Sequence, residues 1–294
     1  MESDRRKPIL VNRYERITDR QLRDVVEPRG ARVCPKVRIS DALRIEQSGI
    51  SGPLYSYALK AHFDFLVVDE SSKLPLFAVE FDGPRHKSDP DAIRRDEMKN
   101  ELVKSFDFGF VRITSDYLDP IPLRRYTRLA WLADIWFLCR AFHEAQDRGE
   151  VPYDEPFCYF SFGSFNGDGT AEFFTSDVTM PTRTKIRQAY EKKLVGSDCP
   201  TTLLNWHAQR AYAFIPLPDL TQFLIGKASC FMVSFQGIGS GELADDLAIL
   251  DLGARLDGYL RGVVVPSSKE QMDALLRQHR EEDGWFTHGA TLPV

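Results

Sequence analysis

Three acids stand inside short apolar runs, and they are the first residues of this sequence that could do chemistry. Residues 63–68 (FDFLVV) are apolar except for Asp64, and residues 76–82 (LFAVEFD) are apolar except for Glu80 and Asp82. Such runs, bounded by turn residues, read as buried strands. A charge there is costly unless it is paired or bound to metal. Side chains two apart on a strand share a face, so Glu80 and Asp82 point the same way. The segment SSKLP (71–75) is short enough to join the two strands as antiparallel neighbours, which can set Asp64 beside Glu80. Three carboxylates on one patch repel and raise one another's pKa. A divalent cation resolves the conflict, because Mg²⁺ takes a few carboxylates and keeps waters that a phosphate can displace. The plainer alternative is that each acid meets a base: Asp64 with Arg112 or Lys60, Glu80 and Asp82 with Arg95 and Lys99.

The elements that must position these acids follow from the flanking pattern. Residues 90–107 read as a helix with Ile93, Met98, Leu102, Val103 and Phe106 on one apolar stripe. Asp89 or Asp91 with Pro90 starts it, and Gly109 falls just past its end. GFVRI (109–113) reads as a strand, and a crossover of this length makes it parallel to the acidic strand. Upstream, residues 14–26 read as a helix and 31–39 as a strand, with Pro35 arguing for an edge or a bulge. The expected fold is α/β, an αβββαβ core with a mixed sheet. Lys36 and Arg38 share one face of their strand and could meet phosphate. The Gly/Ser-rich stretch 44–59 reads as a loop over the site.

One string is more specific than any of these alone. Glu80-Phe81-Asp82-Gly83 with His86 spells E-x-D-G-x-x-H, and Arg95-Asp96 with Lys99 follows as R-D-x-x-K. Together with FDF at 63–65 and VRI at 111–113, it resembles the restriction-endonuclease-like PD-(D/E)XK nuclease superfamily, in particular the branch similar to very-short-patch-repair endonucleases. The resemblance reaches upstream to about residue 14. It implies Mg²⁺-dependent hydrolysis of phosphodiester bonds, in DNA before RNA, with Mn²⁺ able to substitute. It further implies that Asp64, Glu80 and the Phe81 carbonyl hold the ion, while Asp82 binds a second ion or orients water. Lys99 or His86 would steady the phosphate or leaving group, and Glu15 or Asp19 would add a further acid. Lys36, Arg38, Arg95 and Arg112 are the nucleic-acid contacts expected in this region. The sequence departs from the superfamily in one place: Asp82 stands where a lysine usually follows the glutamate by two. That departure favours a rival reading, a catalytically inactive nucleic-acid-binding module. A third is a subunit of a repair or defence complex.

The remaining chain is less specific. Its 294 residues, 28% charged and 43% hydrophobic with a net charge of −5, are ordinary globular values without a global basic footprint. Five scattered cysteines form no C-x-x-C, which suits a reducing cytoplasm, and the charged first 20 residues give no sign of a leader. Residues 1–13 read as a flexible lead-in, 14–120 as the nuclease-like domain and 121–150 as a connecting apolar helix, interrupted by Asp134 and Arg140 and too short to span a membrane. Residues 151–294 read as an α+β region through which a homodimer or protein partner could dock. Within it, 157–162 and 171–176 suggest a hairpin, and 182–194 a basic helix capped by Thr182. Arg183, Lys185 and Arg187 on that helix could ride a phosphate backbone. Trp206 and His207 are expected in a core or lid, 230–235 as a strand, 242–257 as a helix, and 266–294 as a helix with a frayed tail. GIGSGE (237–242) fails as a dinucleotide loop, since Glu242 takes the third glycine's place, and reads as a tight turn.

Overall fold

The computed structural model describes residues 9–10, 12–83, 90–121, 126–161, 164–165, 171–172 and 177–288. The chain divides into two units, Met1–Phe157 with Met232–Gly237, and Cys158–Phe231 with Ile238–Val294.

The first unit opens with α1 (Arg13–Val26), whose Asn12 cap accepts from the Glu15 amide at 2.8 Å while Glu15 reaches back to the Asn12 amide. This reciprocal pair satisfies two amides that a helix start leaves open. Thr18, Leu22 and Val26 form its buried face. Gly30, at φ 71°, then turns the chain into β1 (Ala31–Arg38). After α2 (Ile39–Ala42) and α3 (Gly52–Ala58) come β2 (His62–Asp69) and β3 (Pro75–Phe81), then α4 (Pro90–Ser105) and β4 (Phe110–Ile113). β1 pairs antiparallel with β2 and β2 antiparallel with β3, whereas β3 and β4 are parallel. The αβββαβ core with a mixed sheet is therefore present. β1 lies at the sheet edge, where a proline is tolerated, and the strand Phe231–Val233 closes the other side beside β4.

Two expectations need correction here. The stretch 44–59 is not all loop: Pro53 falls in the first turn of α3, where proline is pre-organised for a helix, and Leu54 and Ala58 are buried. In α4, Ile93 is 42% exposed, and the inward face is Ala92, Lys99, Leu102 and Val103. Leu102 and Val103 of the expected stripe are buried and Met98 and Phe106 half-buried, while Ile93 faces out and Lys99 lies on the buried side. Farther on, α5 (Arg128–Asp147) starts from Thr127, whose side chain accepts from the Ala130 amide. It belongs to the first unit, with the Trp136 ring 4.8 Å from Phe77 and 4.9 Å from Phe235. Among the described residues, no helix is long and apolar enough to cross a membrane.

Asp69 ends β2 and organises the β2–β3 turn. Its Oδ1 accepts from the amides and hydroxyls of Ser71 and Ser72, and its Oδ2 from Arg140 at 2.8 Å. The Ser71 hydroxyl, the Ser72 amide and Arg140 hold its carboxyl well below the usual carboxylate range. A depressed folded pKa contributes stability that is present above the unfolded value and lost as pH falls through the folded one. Asp69→Asn is expected to cost about 2 kcal/mol at pH 7 in urea unfolding, with the gap to the parent closing as the pH drops below about 4.

The second unit contains a short antiparallel hairpin, β5 (Ser164–Phe165) and β6 (Ala171–Glu172). Tyr159–Ser161, expected in the first strand, forms a 3₁₀ turn instead, and the strand falls at Ser164–Phe165, in the expected turn; residues 162 and 173–176 of the expected hairpin lie outside the described residues. Next come α6 (Met180–Glu191), β7 (Thr201–Asn205), β8 (Arg210–Pro216) and β9 (Gln222–Ser229). β10 is the Phe231–Val233 strand already described; α7 (Ser240–Leu260), β11 (Ser267–Ser268), α8 (Lys269–Glu281) and β12 (Trp285–His288) complete the chain. Their sheet runs β11-β9-β8-β7-β12, and its four pairings are antiparallel. Thr182 is buried inside α6 rather than capping it, because Pro181 already occupies the first turn and the cap falls at Thr179. The tail forms a strand, with β12 pairing along β7. Trp206 is 41% exposed, and His207 is exposed beside it on the β7–β8 turn, so neither is core.

α7 lies on this sheet at Gly226. A Cβ there would stand 2.3 Å from the Ala248 carbonyl oxygen and from the Leu252 amide nitrogen. Glycine in β9 thus lets a helix backbone approach a strand backbone directly. Gly226→Ala is expected to destabilise the second unit by about 3 kcal/mol, read from its urea midpoint, since backbone atoms cannot swing aside.

Candidate active site

The β2–β3 register puts the first two acids side by side. One step on from the Phe65–Val79 pair, the Asp64 amide donates to Glu80 Oε2 at 3.3 Å, and the Phe81 amide donates to Asp64 Oδ2 at 3.0 Å. Each carboxylate therefore accepts from the backbone of the other's strand, which fixes both at adjoining strand positions.

Cations from two further elements close on this pair. Lys99, on the buried face of α4, places Nζ 2.5 Å from Glu80 Oε1 and 2.8 Å from the His62 carbonyl oxygen. Both side chains are nearly sealed, at 8% and 11% exposure. Burial pushes the Glu80 carboxyl up, Lys99 pulls it back, and the neighbouring Asp64 charge pushes the same way as burial. Lys36 Nζ bridges Glu15 Oε1 at 2.9 Å and Asp64 Oδ1 at 2.6 Å. Its backbone sits at φ 54° within β1, a conformation uncommon outside glycine, and it drops out of the ladder between Pro35–Phe65 and Val37–Phe63. Of the two candidate acids on α1, Glu15 joins this cluster, while Asp19 pairs with Arg23.

Asp82 is held differently. It accepts from Arg112 Nη1 at 2.6 Å, and the same guanidinium reaches Asp96 Oδ1 at 3.0 Å and Asn100 Oδ1 at 2.9 Å. Arg112, expected to meet nucleic acid, is only 8% exposed and holds Asp82 and Asp96 from within. Lys36 likewise turns to Glu15 and Asp64 rather than outward to phosphate, and Arg38 lies at the surface with Asp41. Arg95 is exposed on α4. In the second unit, Lys185 pairs with Asp257, Arg183 donates to the Thr179 hydroxyl, and Arg187 is exposed. His86 lies outside the described residues. Neither Lys60 nor Arg112 pairs with Asp64; its partner is Lys36, which the strand-face reading had assigned to phosphate. Tyr57 was also missed: α3 carries it into the field of Glu80 and Asp96, and burial first, then these charges, push its phenol up to about 12.

Residues 7–127 match a protein family described as Protein of unknown function (DUF2726). No curated protein and no solved structure matches the chain. The matched segment contains all the acids and cations of this cluster, so the chemistry rests on their geometry. Among the described residues, no group of three or more His, Cys, Asp or Glu side chains is gathered to hold a metal ion. The structure brings two carboxylates together and sets Asp82 against Arg112.

Proposed function

We propose that the first unit is a metal-dependent phosphodiesterase of the PD-(D/E)XK nuclease type, acting on DNA. One observation carries this reading: the cross-strand Asp64–Glu80 pair on an αβββαβ core, with Lys99 buried against Glu80. A lysine nearly sealed on a carboxylate is where the missing strand lysine's charge is supplied by the following helix instead.

The donor set fits a hard divalent cation. Mg²⁺ is commonly bound through one or two carboxylates and otherwise keeps water and phosphate oxygens. Asp64, Glu80 and the Phe81 carbonyl would hold it. When bound, such an ion lowers the pKa of a water ligand and offsets charge on the phosphoryl oxygens. Lys99, tied to both Glu80 and the His62 carbonyl, keeps a positive charge inside the site for the scissile phosphate. Arg112 holds Asp82 and Asp96 in place from below.

A second reading has its own support. Each of Asp64, Glu80 and Asp82 already has a cation at hydrogen-bond distance, which is what an inactive nucleic-acid-binding module would retain. Plasmid nicking in Mg²⁺, Mn²⁺ and EDTA separates the two. Cleavage that requires the metal supports the enzyme. DNA binding without cleavage, indifferent to chelator, supports the module.

A further inference from the structure

The second unit carries a half-open cavity of about 310 Å³ whose walls do not serve the acid pair of the first unit. Three of its lining residues are aromatic. Phe160 is 53% exposed and Trp206 41%, whereas Tyr159 is buried and donates to Asp246 Oδ2 at 2.8 Å. The Trp206 indole lies flat on the start of α7: a Cβ on Gly241 would stand 2.2 Å from its Cε3. The helix thus has a glycine at the one position where an exposed indole must rest against it.

Four carboxylates share the cavity with a single cation, Arg183, among its described lining residues. Three of the four hold structure, since Asp246 accepts from Tyr159 as described. Asp177 accepts from the Thr179 amide and hydroxyl, and Glu242 accepts from the Gly239 amide at the helix start. Asp245 and Asp246 lie farther along α7, beyond its first turn, and both line the cavity. Burial, with the charges of Asp177 and Asp245, pushes Asp246 up to about 8. Aromatic faces beside carboxylates inside a concave site of small-ligand size are the surroundings that a desolvated organic cation prefers. A hydrated inorganic ion has no use for the indole.

We infer that this cavity binds an organic cation, an alkylammonium or guanidinium group, between the Trp206 and Phe160 rings and the carboxylates of Asp245 and Asp246. The cation can belong to a free amine or to a lysine or arginine side chain of a peptide; the chemistry recognised is the same.

The test follows the Trp206 indole N–H signal of the full-length chain by NMR, assigned with Trp206→Phe. The probes are agmatine, a Gly-Arg-Gly peptide, citrulline as the neutral counterpart, and MgCl₂. Saturable shifts with agmatine or the peptide, and none with citrulline, are expected; whichever binds more tightly identifies the source. Affinity, read by calorimetry because Trp206→Leu lacks the indole signal, should fall at least about tenfold in Trp206→Leu and in Asp245→Asn/Asp246→Asn. Both variants should fold, since Trp206 is exposed and asparagine keeps an acceptor for the Tyr159 hydroxyl; circular dichroism checks this. Three outcomes would each overturn the inference: no saturable shift, equal response to citrulline or to MgCl₂ alone, or unchanged affinity in the folded variants.

Discussion

Asp64→Asn is expected to lower the single-turnover rate of Mg²⁺-dependent DNA cleavage by at least ~10³-fold, roughly 4 kcal/mol of barrier. The substitution keeps the shape of the side chain. Its Oδ1 can still accept from the Phe81 amide, as Asp64 Oδ2 does, so β3 stays in register. What is lost is charge. Asparagine removes half of the formal charge on the cross-strand pair and turns an amide toward the Lys36 ammonium, donor against donor. Asp82→Asn serves as the comparison, because Asp82 bonds to Arg112 rather than to the pair. Its effect should be smaller by an order of magnitude or more if Asp64 and Glu80 are the ligand pair. Cleavage by Asp64→Asn at the parental rate would place the activity elsewhere in the chain. Calorimetry gives the binding half of the same answer: one Mn²⁺ taken up by the parent, and much weaker uptake by Asp64→Asn.

Much of this arrangement was legible in the sequence because it is written in period two. An acid inside an apolar strand declares itself, and a five-residue turn leaves little choice of partner strand, so Asp64 and Glu80 could be placed together before any coordinates. The βαβ crossover and the edge position of β1 followed from crossover length and from Pro35 in the same way. What failed to show was the origin of the cations. Lys36 reaches Asp64 through a left-handed backbone at φ 54°, which no strand pattern announces for a lysine. Arg112 reads as a nucleic-acid contact or a partner of Asp64, yet Asp82, Asp96 and Asn100 meet its guanidinium from the end of β3 and from α4, a convergence set by tertiary packing.

The second unit was harder for a physical reason. Its sheet is built from ordinary amphipathic strands such as Arg210–Pro216, in which small residues occupy many inward positions, Ala211 and Ala213 among them. Their burial depends on α7 lying against them, and the residue that permits this, Gly226, looks in sequence like a strand breaker. The last strand is invisible for a related reason: Trp285–His288 gains its partner from β7, about 80 residues earlier, and nothing local favours a strand over a frayed end.

The buried pair itself makes the sharpest stability prediction. The Lys99 and Glu80 side chains are nearly sealed, so removing one partner strands the other's charge away from water. Lys99→Met is expected to cost about 3–5 kcal/mol at neutral pH, measured by urea unfolding of the metal-free protein in EDTA. The cost should depend on pH in a definite direction. Burial already raises Glu80, and losing Lys99 removes the strongest influence pulling it down. A group with a raised folded pKa contributes stability that is full below its unfolded value, near 4.3, and lost as pH rises through the folded value. The deficit of Lys99→Met should therefore be small in acid, where Glu80 can take a proton, and grow as the pH rises. Adding Glu80→Leu should recover most of the loss and can leave the protein as stable as the parent, since well-packed apolar side chains often replace a buried ion pair at no cost. That double variant separates purpose from stability: a folded chain that no longer takes up Mn²⁺ means the pair is there for binding an ion. A deficit under about 1 kcal/mol that ignores pH would mean Glu80 is neutral or solvated in the parent, and the buried ion pair argued for the site would not hold.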